Sequence, residues 1–281
     1  MTTPQQEARA ALEAAGRLPD AELDIAAVAL QFARVDQPVA DWQAAQQHLS
    51  DLARAAVELA SADAQADAGD LARRRATLAE LLHGEFGYAG DTESYDDPSN
   101  ANLLKVIERR RGLPVALGIL WLHAAEAAGW EAHGVDFPGH FLVALSGRGQ
   151  VVVDVFGEGR ALEAKDLRRL LKTFAGESAE LGRDTLAPMG KRAVLLRLQN
   201  NIKVRRLREG DLTGAVACTE DMLRLAPDAA PLWREAGLMH QRLGHVTAAI
   251  LSLERFLQLS PDGPQAGRVR GLLEELRHRL N

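Results

Sequence analysis

The chain has one cysteine among its 281 residues, no long apolar run and no leader-like beginning, and each absence excludes a class of protein. A lone Cys218 rules out an intrachain disulfide framework and suits a reducing compartment. No uninterrupted apolar stretch approaches the ~20 residues that a membrane helix needs. The N-terminus lacks a basic segment followed by an apolar run, so no signal peptide is predicted. We therefore expect a cytoplasmic globular protein that makes no membrane contact.

The net charge of −6 hides an uneven distribution. Residues 1–190 contain 18 Lys and Arg against 29 Asp and Glu, whereas residues 191–281 contain 15 against 10. A basic tail attracts acidic partners, nucleic acid included. No recognised nucleic-acid motif accompanies the charge, so we interpret it as solvated helix faces and do not expect a nucleic-acid partner.

The stretch Arg111–Asp154 predicts a buried helix followed by an antiparallel sheet. Pro114 suits the first position of a helix, and the uncharged run Val115–Leu122 predicts burial nearly all round. Gly129 stands where a glycine would end that helix. Three β-like runs follow, near Ala132–Val135, Phe141–Leu145 and Val151–Val155.

This order of elements resembles a known family. The helix, His140 in GHFLVAL and Asp154 in VVVDVF resemble the transglutaminase-like core of the papain-type fold. More closely, FGYAGDTESYDDPSNANLLKVIERRRGLPVALGILWL, DFPGHFL and VDVFGEG resemble the bacterial SirB-type family, which joins such a core to tetratricopeptide repeats. The resemblance covers roughly Leu23 to the C-terminus. It implies an α+β core with helices before it and an all-α repeat tail.

The chain departs from that family's chemistry at one place. A transglutaminase-like enzyme carries a cysteine at the start of the core helix, where the helix N-terminus lowers the thiol pKa. Here Gly112–Leu122 offers no thiol, hydroxyl, amine or carboxylate. Cys218 lies more than 60 residues beyond Asp154. We therefore do not expect acyl transfer through a thiol.

The region before the core is predicted to be helical. Its segments are Pro4–Gly16, which we interpret as a loosely attached arm, then Ala21–Phe32 with Asp20 as N-cap, Asp41–Ala60, a polar break at Ala62–Gly69, and Asp70–Leu82. The segment His83–Asn102 combines turn residues with aromatic anchors and predicts an ordered loop. The resemblance places such a loop beside the cleft. Its acidic residues lack the spacing of an EF-hand, so we reject a calcium site.

Four further residues are candidates for the rim of a cleft: Asn102, Glu108, Arg109 and Arg160. Two interpretations of Glu108 and Arg109 stay open, namely solvent with exposed ion pairing, or a rim that recognises a carboxylate or fixes a nearby loop. Arg160 is expected near the end of the Asp154 strand.

Three histidines within eighteen residues, His123, His133 and His140, raise the question of a zinc site. No HxH, HExxH or cysteine pair provides a preformed ligand set, so we predict neither a metal nor a cofactor.

The tail repeats itself with an offset of 34 residues, the tetratricopeptide period, because Leu223–Asp228 recurs as Leu257–Asp262. Gln199 and Lys203 depart from the pattern in the first unit, and a capping helix over Gln265–Asn281 replaces a third. Two units are fewer than the ~3 that an independent array needs, so we expect them to depend on the rest of the chain.

These patterns predict a transglutaminase-like domain over 1–180 and a repeat region over 190–281, joined by a linker over Ala175–Gly190. The favoured function is a pseudoenzyme that binds a protein or peptide through its repeats; the oligomeric state stays open. The alternative is a hydrolase in which His140 is a general base for water and Asp154 orients its ring, without a cysteine. For that dyad we predict an even hairpin register, an imidazole nitrogen within ~3.2 Å of an Asp154 oxygen, and a ring that points towards the N-terminal end of the Pro114 helix.

Overall fold

The computed structural model describes residues 2–62 and 70–279, so most of the predicted polar break lies outside the described residues. The chain forms two compact units. The first contains Met1–Ala8 and Leu18–Leu198, and the second contains Arg9–Arg17 and Gln199–Asn281. This division differs from the predicted boundaries because residues 9–17, expected to be a loose arm, belong to the repeat unit. None of the helices in the described ranges has the length and apolar character needed to cross a membrane.

Before residue 80, the part of the chain that the structure describes contains four α-helices: α1 Pro4–Gly16, α2 Ile25–Asp36, α3 Trp42–Ala62 and α4 Leu71–Ala79. The predicted capping role of Asp20 is wrong, because Asp20–Glu22 is a 3-10 turn and Asp24 caps α2 by accepting from the Ala27 N–H at 2.9 Å. Asp20 caps a distant helix instead. Its two carboxylate oxygens accept from the N–H groups of Lys191 and Arg192, at 2.9 and 2.7 Å. A carboxylate is favourable there because the first turn of a helix leaves its N–H groups unpaired.

A turn of π-helix, Glu80–Glu85, extends α4 into the loop before the core. The short strand β1 Ala89–Gly90 pairs in parallel with β2 Arg111–Gly112, across the helix α5 Leu103–Arg109. Arg110 ends α5 in the left-handed region at φ 57°. This pairing brings the loop next to the start of the core helix.

The core helix α6 spans Pro114–Ala127 and is buried along its length, as predicted. Gly129 follows it at φ +71°. A five-stranded antiparallel sheet comes next: β3 Ala132–Phe137, β4 His140–Ser146, β5 Gln150–Asp154, β6 Arg160–Leu162 and β7 Pro188–Met189, in the order β6-β5-β4-β3-β7. Helix α7, Ala164–Ala175, lies between β6 and β7 in the chain. The predicted linker is therefore wrong in part, because residues 188 and 189 form an edge strand on β3.

Alternation along β4 separates the two faces of the sheet. Phe141 faces α6, where a Cβ added to Gly118 would lie 2.2 Å from its ring. Leu142 and Ala144 face the other way and share an apolar cluster with Leu167 and Leu171 of α7. Helices thus cover both faces, which gives the first unit its mixed α+β architecture.

The second unit is all helical, with α8 Lys191–Arg208 entering it and α9 Leu212–Leu225, α10 Ala230–Arg242, α11 Val246–Leu259 and α12 Ala266–His278 following. Gly210 and Gly244, which are 34 residues apart, lie in the turns of the two helical hairpins, with φ of +80° and +76°. Helices α11 and α12 share an apolar cluster that includes Leu253 and Leu273, so α12 caps the second repeat. These elements confirm the prediction of two helical hairpins and a capping helix for this tail.

Candidate functional site

The hairpin of β4 and β5 brings His140 and Asp154 together. Ser146 pairs with Gln150 and Val143 with Val153, an even register closed by a three-residue loop. Even-numbered residues of both strands therefore share a face. His140 Nε2 lies 3.0 Å from Asp154 Oδ1, so the predicted register and contact are confirmed. The catalytic role of the pair stays a prediction.

Asp154 is held as a carboxylate by three donors on one oxygen. Oδ1 accepts from the N–H groups of Phe156 and Gly157, both at 3.2 Å, as well as from His140. Burial alone would raise the pKa of Asp154, but these hydrogen bonds outweigh it and hold the pKa below its ordinary value. An ionised carboxylate only accepts, so Nε2 carries a proton. In the neutral ring, Nδ1 then keeps a lone pair that can accept a proton.

Two aromatic rings enclose His140, whose side chain is 10% exposed. Phe174 of α7 stacks on it with ring centroids 6.1 Å apart and planes inclined by 13°, and Phe156 meets it edge-on at 6.3 Å. Phe141 occupies the α6 face of β4, so alternation along the strand puts its neighbour His140 on the face that α7 covers. The expectation that the His140 ring points to the N-terminal end of α6 stays a prediction.

The start of α6 offers no reacting group. Leu113, Val115 and Ala116 are apolar and buried there. Cys218 lies on α9 of the second unit and is 5% exposed, with Sγ 3.5 Å from the carbonyl oxygen of Gln199. Burial on a helix blocks access to the thiol, so Cys218 is a small buried packing residue, as predicted.

Arg109 fixes the loop before α5. Its guanidinium donates to Asp91 at 3.0 Å and to Asn100 at 3.1 Å. The backbone N–H of Ser94 is the main cause that keeps the pKa of Asp91 low, and Asn100 and Arg109 contribute. Tyr95 in this loop meets Phe156 edge-on at 5.8 Å. Of the two interpretations of Arg109, the contacts match the fixing of a nearby loop, and that loop reaches the His140 site through Phe156.

The other rim candidates have separate environments. Asn102 is 4% exposed and caps α5 by accepting from the Lys105 N–H at 3.3 Å, and its place at the rim of a cleft stays a prediction. Glu108 is exposed and pairs with Lys105 at 2.8 Å. Arg160 lies opposite Asp154 in the strand pairing and is exposed, which is where the sequence placed it.

The three histidines considered for zinc have different neighbours. His123 Nε2 lies 3.0 Å from the Leu49 carbonyl oxygen, and His133 contacts Ser146 and Gln150. Within residues 2–62 and 70–279, no group of three or more His, Cys, Asp or Glu is arranged to hold a metal ion.

Sequence reasoning missed three neighbours of the dyad. Arg197 of α8 donates to the His140 carbonyl oxygen at 2.7 Å and pairs with Asp136 across the turn between β3 and β4. Phe156 could have been found, because it follows Asp154 by two residues. Phe174 and Arg197 carry no local signal, since both come from other elements.

The family model described as the transglutaminase-like superfamily matches residues 43–200, more than half of the chain. The chain belongs to this superfamily. A second model, described as tetratricopeptide repeat, matches residues 202–274. A transglutaminase-like core and a repeat tail are therefore both established.

Curated relatives are bacterial and mammalian. A UPF0162 protein of Xylella fastidiosa (strain Temecula1 / ATCC 700964) is 33% identical over 174 residues, 60% of this chain and 62% of the relative. A UPF0162 protein of Vibrio cholerae serotype O1 is 32% identical over 165 residues, 58% of this chain and 61% of the relative. F-box only protein 21 of Mus musculus is 27% identical over 100 residues, 32% of this chain and 16% of the relative. The chain thus spans less than two thirds of these relatives. No solved structure gave a significant match.

Proposed function

We propose that this chain is a cytoplasmic, non-catalytic member of the bacterial SirB-type branch of the superfamily and binds a protein or peptide through its repeat unit. One observation carries the proposal: the start of α6 is apolar and buried, while the single thiol is buried on α9. Without a nucleophile at the helix N-terminus, the acyl-enzyme step of the superfamily has no acceptor atom. The tetratricopeptide match supports a binding role, because such repeats generally mediate protein interactions.

Two measurements test this proposal. In the first, incorporation of a fluorescent amine into glutamine peptides is followed with the full chain and with Cys218→Ala. We expect no turnover by either, and Cys218 should resist a chloroacetamide reagent until the chain is unfolded. Native-state alkylation that removes an activity would contradict the proposal.

In the second, the full chain selects ligands from a displayed peptide library. Enriched peptides should bind with equal affinity to the wild type and to His140→Gln, because binding through the repeats does not use the dyad. A library that yields no saturable ligand, or binding that disappears in a folded His140→Gln, would contradict a binding role for the repeats.

A hydrolase without a cysteine is the second candidate, favoured by the 3.0 Å contact between His140 and Asp154. Because Nε2 donates to Asp154, Nδ1 is the nitrogen of the neutral His140 ring that can accept a proton, and a water molecule is the reactant from which it would take one. Ester hydrolysis should then fall by at least ~100-fold in His140→Gln, and the rate should follow a single ionisation that Asp154→Asn shifts. If the wild type, His140→Gln and Asp154→Asn all hydrolyse the ester at the background rate, the hydrolase function is excluded.

A further inference from the structure

Three helices of the second unit, α8, α10 and α12, hold equivalent places in the repeat. Lys203 of α8 pairs with Glu235 of α10, and Trp233 of α10 packs against the apolar cluster that α11 and α12 share, so the three helices follow one another in the stack. Residues that are 34 positions apart therefore occupy the same place on successive helices and face the same side of the array.

That side carries repeated apolar and cationic residues. Val204, Leu238 and Leu272 are one set of equivalent residues, and each is partly exposed. Arg234 and Arg268 are a second set, each four residues before the leucine of its own helix. A spacing of four puts the arginine and the leucine on the same face of the helix. A third set follows the apolar one by four residues, and the whole surface, which we call the arginine face, comprises Val204, Arg208, Arg234, Leu238, Arg242, Arg268 and Leu272.

The charges of the arginine face are not neutralised by the fold. Arg234, Arg242 and Arg268 have no acidic residue three or four positions away on their own helices, where an intrahelical ion pair would form. Within residues 2–62 and 70–279 their side chains form no hydrogen bond or ion pair. Other arginines of the same unit are paired, at 3.3 and 2.6 Å: Arg255 with Asp228, and Arg277 with Glu254.

The helix ends add to the positive character at Arg234 and Arg268. Arg268 lies in the first turn of α12 and Arg234 near the start of α10, and neither helix has an acidic residue in its first turn. The start of a helix disfavours a cation and favours an anion, because its first N–H groups are unpaired. Arg242 ends α10, where a cation is favourable by itself, and the exposed Glu275 lies two turns beyond Arg268 on the same side of α12. We therefore expect the anionic groups of a ligand at Arg234 and Arg268.

We propose that the arginine face binds an acidic peptide, a statement that rests on the proposed peptide-binding function. Its glutamate or aspartate side chains pair with Arg234 and Arg268, and an aliphatic side chain packs on Leu238 and Leu272. A single-stranded nucleic acid is also an anion, but its bases stack on aromatic side chains. The arginine face presents aliphatic side chains between its cations, which favours a peptide.

The test uses four fluorescein-labelled probes, titrated with the full chain and followed by fluorescence anisotropy. The reference peptide is Gly-Glu-Glu-Leu-Glu-Glu-Leu-Gly. A second peptide has glutamine in place of every glutamate, a third has serine in place of every leucine, and the fourth probe is a thymidine pentanucleotide, whose four phosphates match the four carboxylates. In about 0.05 M salt we expect the reference peptide to bind about 10-fold more tightly than the glutamine peptide, the size of two partly exposed ion pairs. Screening should remove most of that preference in about 0.5 M salt. The serine peptide and the pentanucleotide should bind more weakly than the reference.

Two double variants locate the binding surface. Arg234→Gln combined with Arg268→Gln should abolish the preference for glutamate over glutamine. Arg255→Gln combined with Arg277→Gln is the matched control, because it removes the same charge from the same unit at arginines outside the arginine face, and it should keep the preference. Circular dichroism checks that both variants are folded. If the first double variant does not fold, Arg268→Gln alone decides the question, since this exposed residue should still lower the preference.

Four results would overturn the assignment. They are equal binding of the reference and glutamine peptides, no binding of the reference peptide, tighter binding of the pentanucleotide, and an equal loss of preference in the two double variants. Library peptides that contain no acidic residue and still bind to the Arg234→Gln, Arg268→Gln chain would also overturn it, while the proposed function would stand.

Discussion

Replacement of Gly118 by alanine tests whether the absence of a side chain at Gly118 lets the Phe141 ring of the sheet pack against α6. Alanine favours a helix interior over glycine by ~1 kcal/mol, so the substitution should stabilise an exposed helix. At Gly118 the new Cβ would lie 2.2 Å from Cε1 of Phe141, far inside an ordinary carbon–carbon contact of ~3.5–4.0 Å. The ring cannot retreat freely, because it is 1% exposed and a Cβ at Gly134 would lie 2.9 Å from its far side.

Overpacking of a core typically costs ~1–3 kcal/mol, and a ring confined on two sides belongs at the upper end of that range. After the helix-propensity gain of ~1 kcal/mol is subtracted, we expect Gly118→Ala to lower the free energy of unfolding by ~1–2 kcal/mol. Urea unfolding followed by tryptophan fluorescence measures this directly, since the buried Trp121 lies on the same helix.

A double-mutant cycle identifies the cause. Phe141→Leu should destabilise alone, yet in combination with Gly118→Ala the loss should be smaller than the two single losses added together. Gly271→Ala is the control, because Gly271 lies on α12, where an added Cβ would meet no atom of the described residues within 4 Å, so this change should be neutral or stabilising. A stable Gly118→Ala, or strictly additive losses, would refute the reasoning.

Three further perturbations follow from single contacts. Asp20→Ala should cost ~1–2 kcal/mol in thermal unfolding, because it uncaps α8, whereas the exposed Glu22→Ala should cost nothing measurable. Burial, with Arg110 second, lowers the pKa of His48 to about 4, so stability should fall by ~1–2 kcal/mol as pH drops from about 6.5 towards 4, and His48→Gln should flatten that slope. Arg109→Met should accelerate hydrogen exchange in residues 91–101 at least ~5-fold, because it removes the guanidinium that joins Asp91 to Asn100, and an unchanged rate would exclude the fixing role.

The sequence was sufficient wherever the signal was local. The uncharged run after Pro114 predicts a helix buried on all sides, and α6 is such a helix. Periodicity of 34 predicts the two hairpins, and the short loop after Ser146 limits β4 and β5 to a few registers, of which the even ones bring His140 to Asp154. In each case the structure depends on residues that are close together in the sequence, so the sequence alone is enough to predict it.

Only the tertiary structure decided the contacts between distant segments. Asp20 caps α8 from a position 171 residues earlier in the chain. A hydrogen bond between residues so far apart produces no repeating pattern in the sequence. The linker's edge strand needs an unpaired edge of β3 before it can form. The face that His140 occupies depends on which side of the sheet α6 covers, a choice made by the fit of Phe141 between two glycines rather than by the residues around His140.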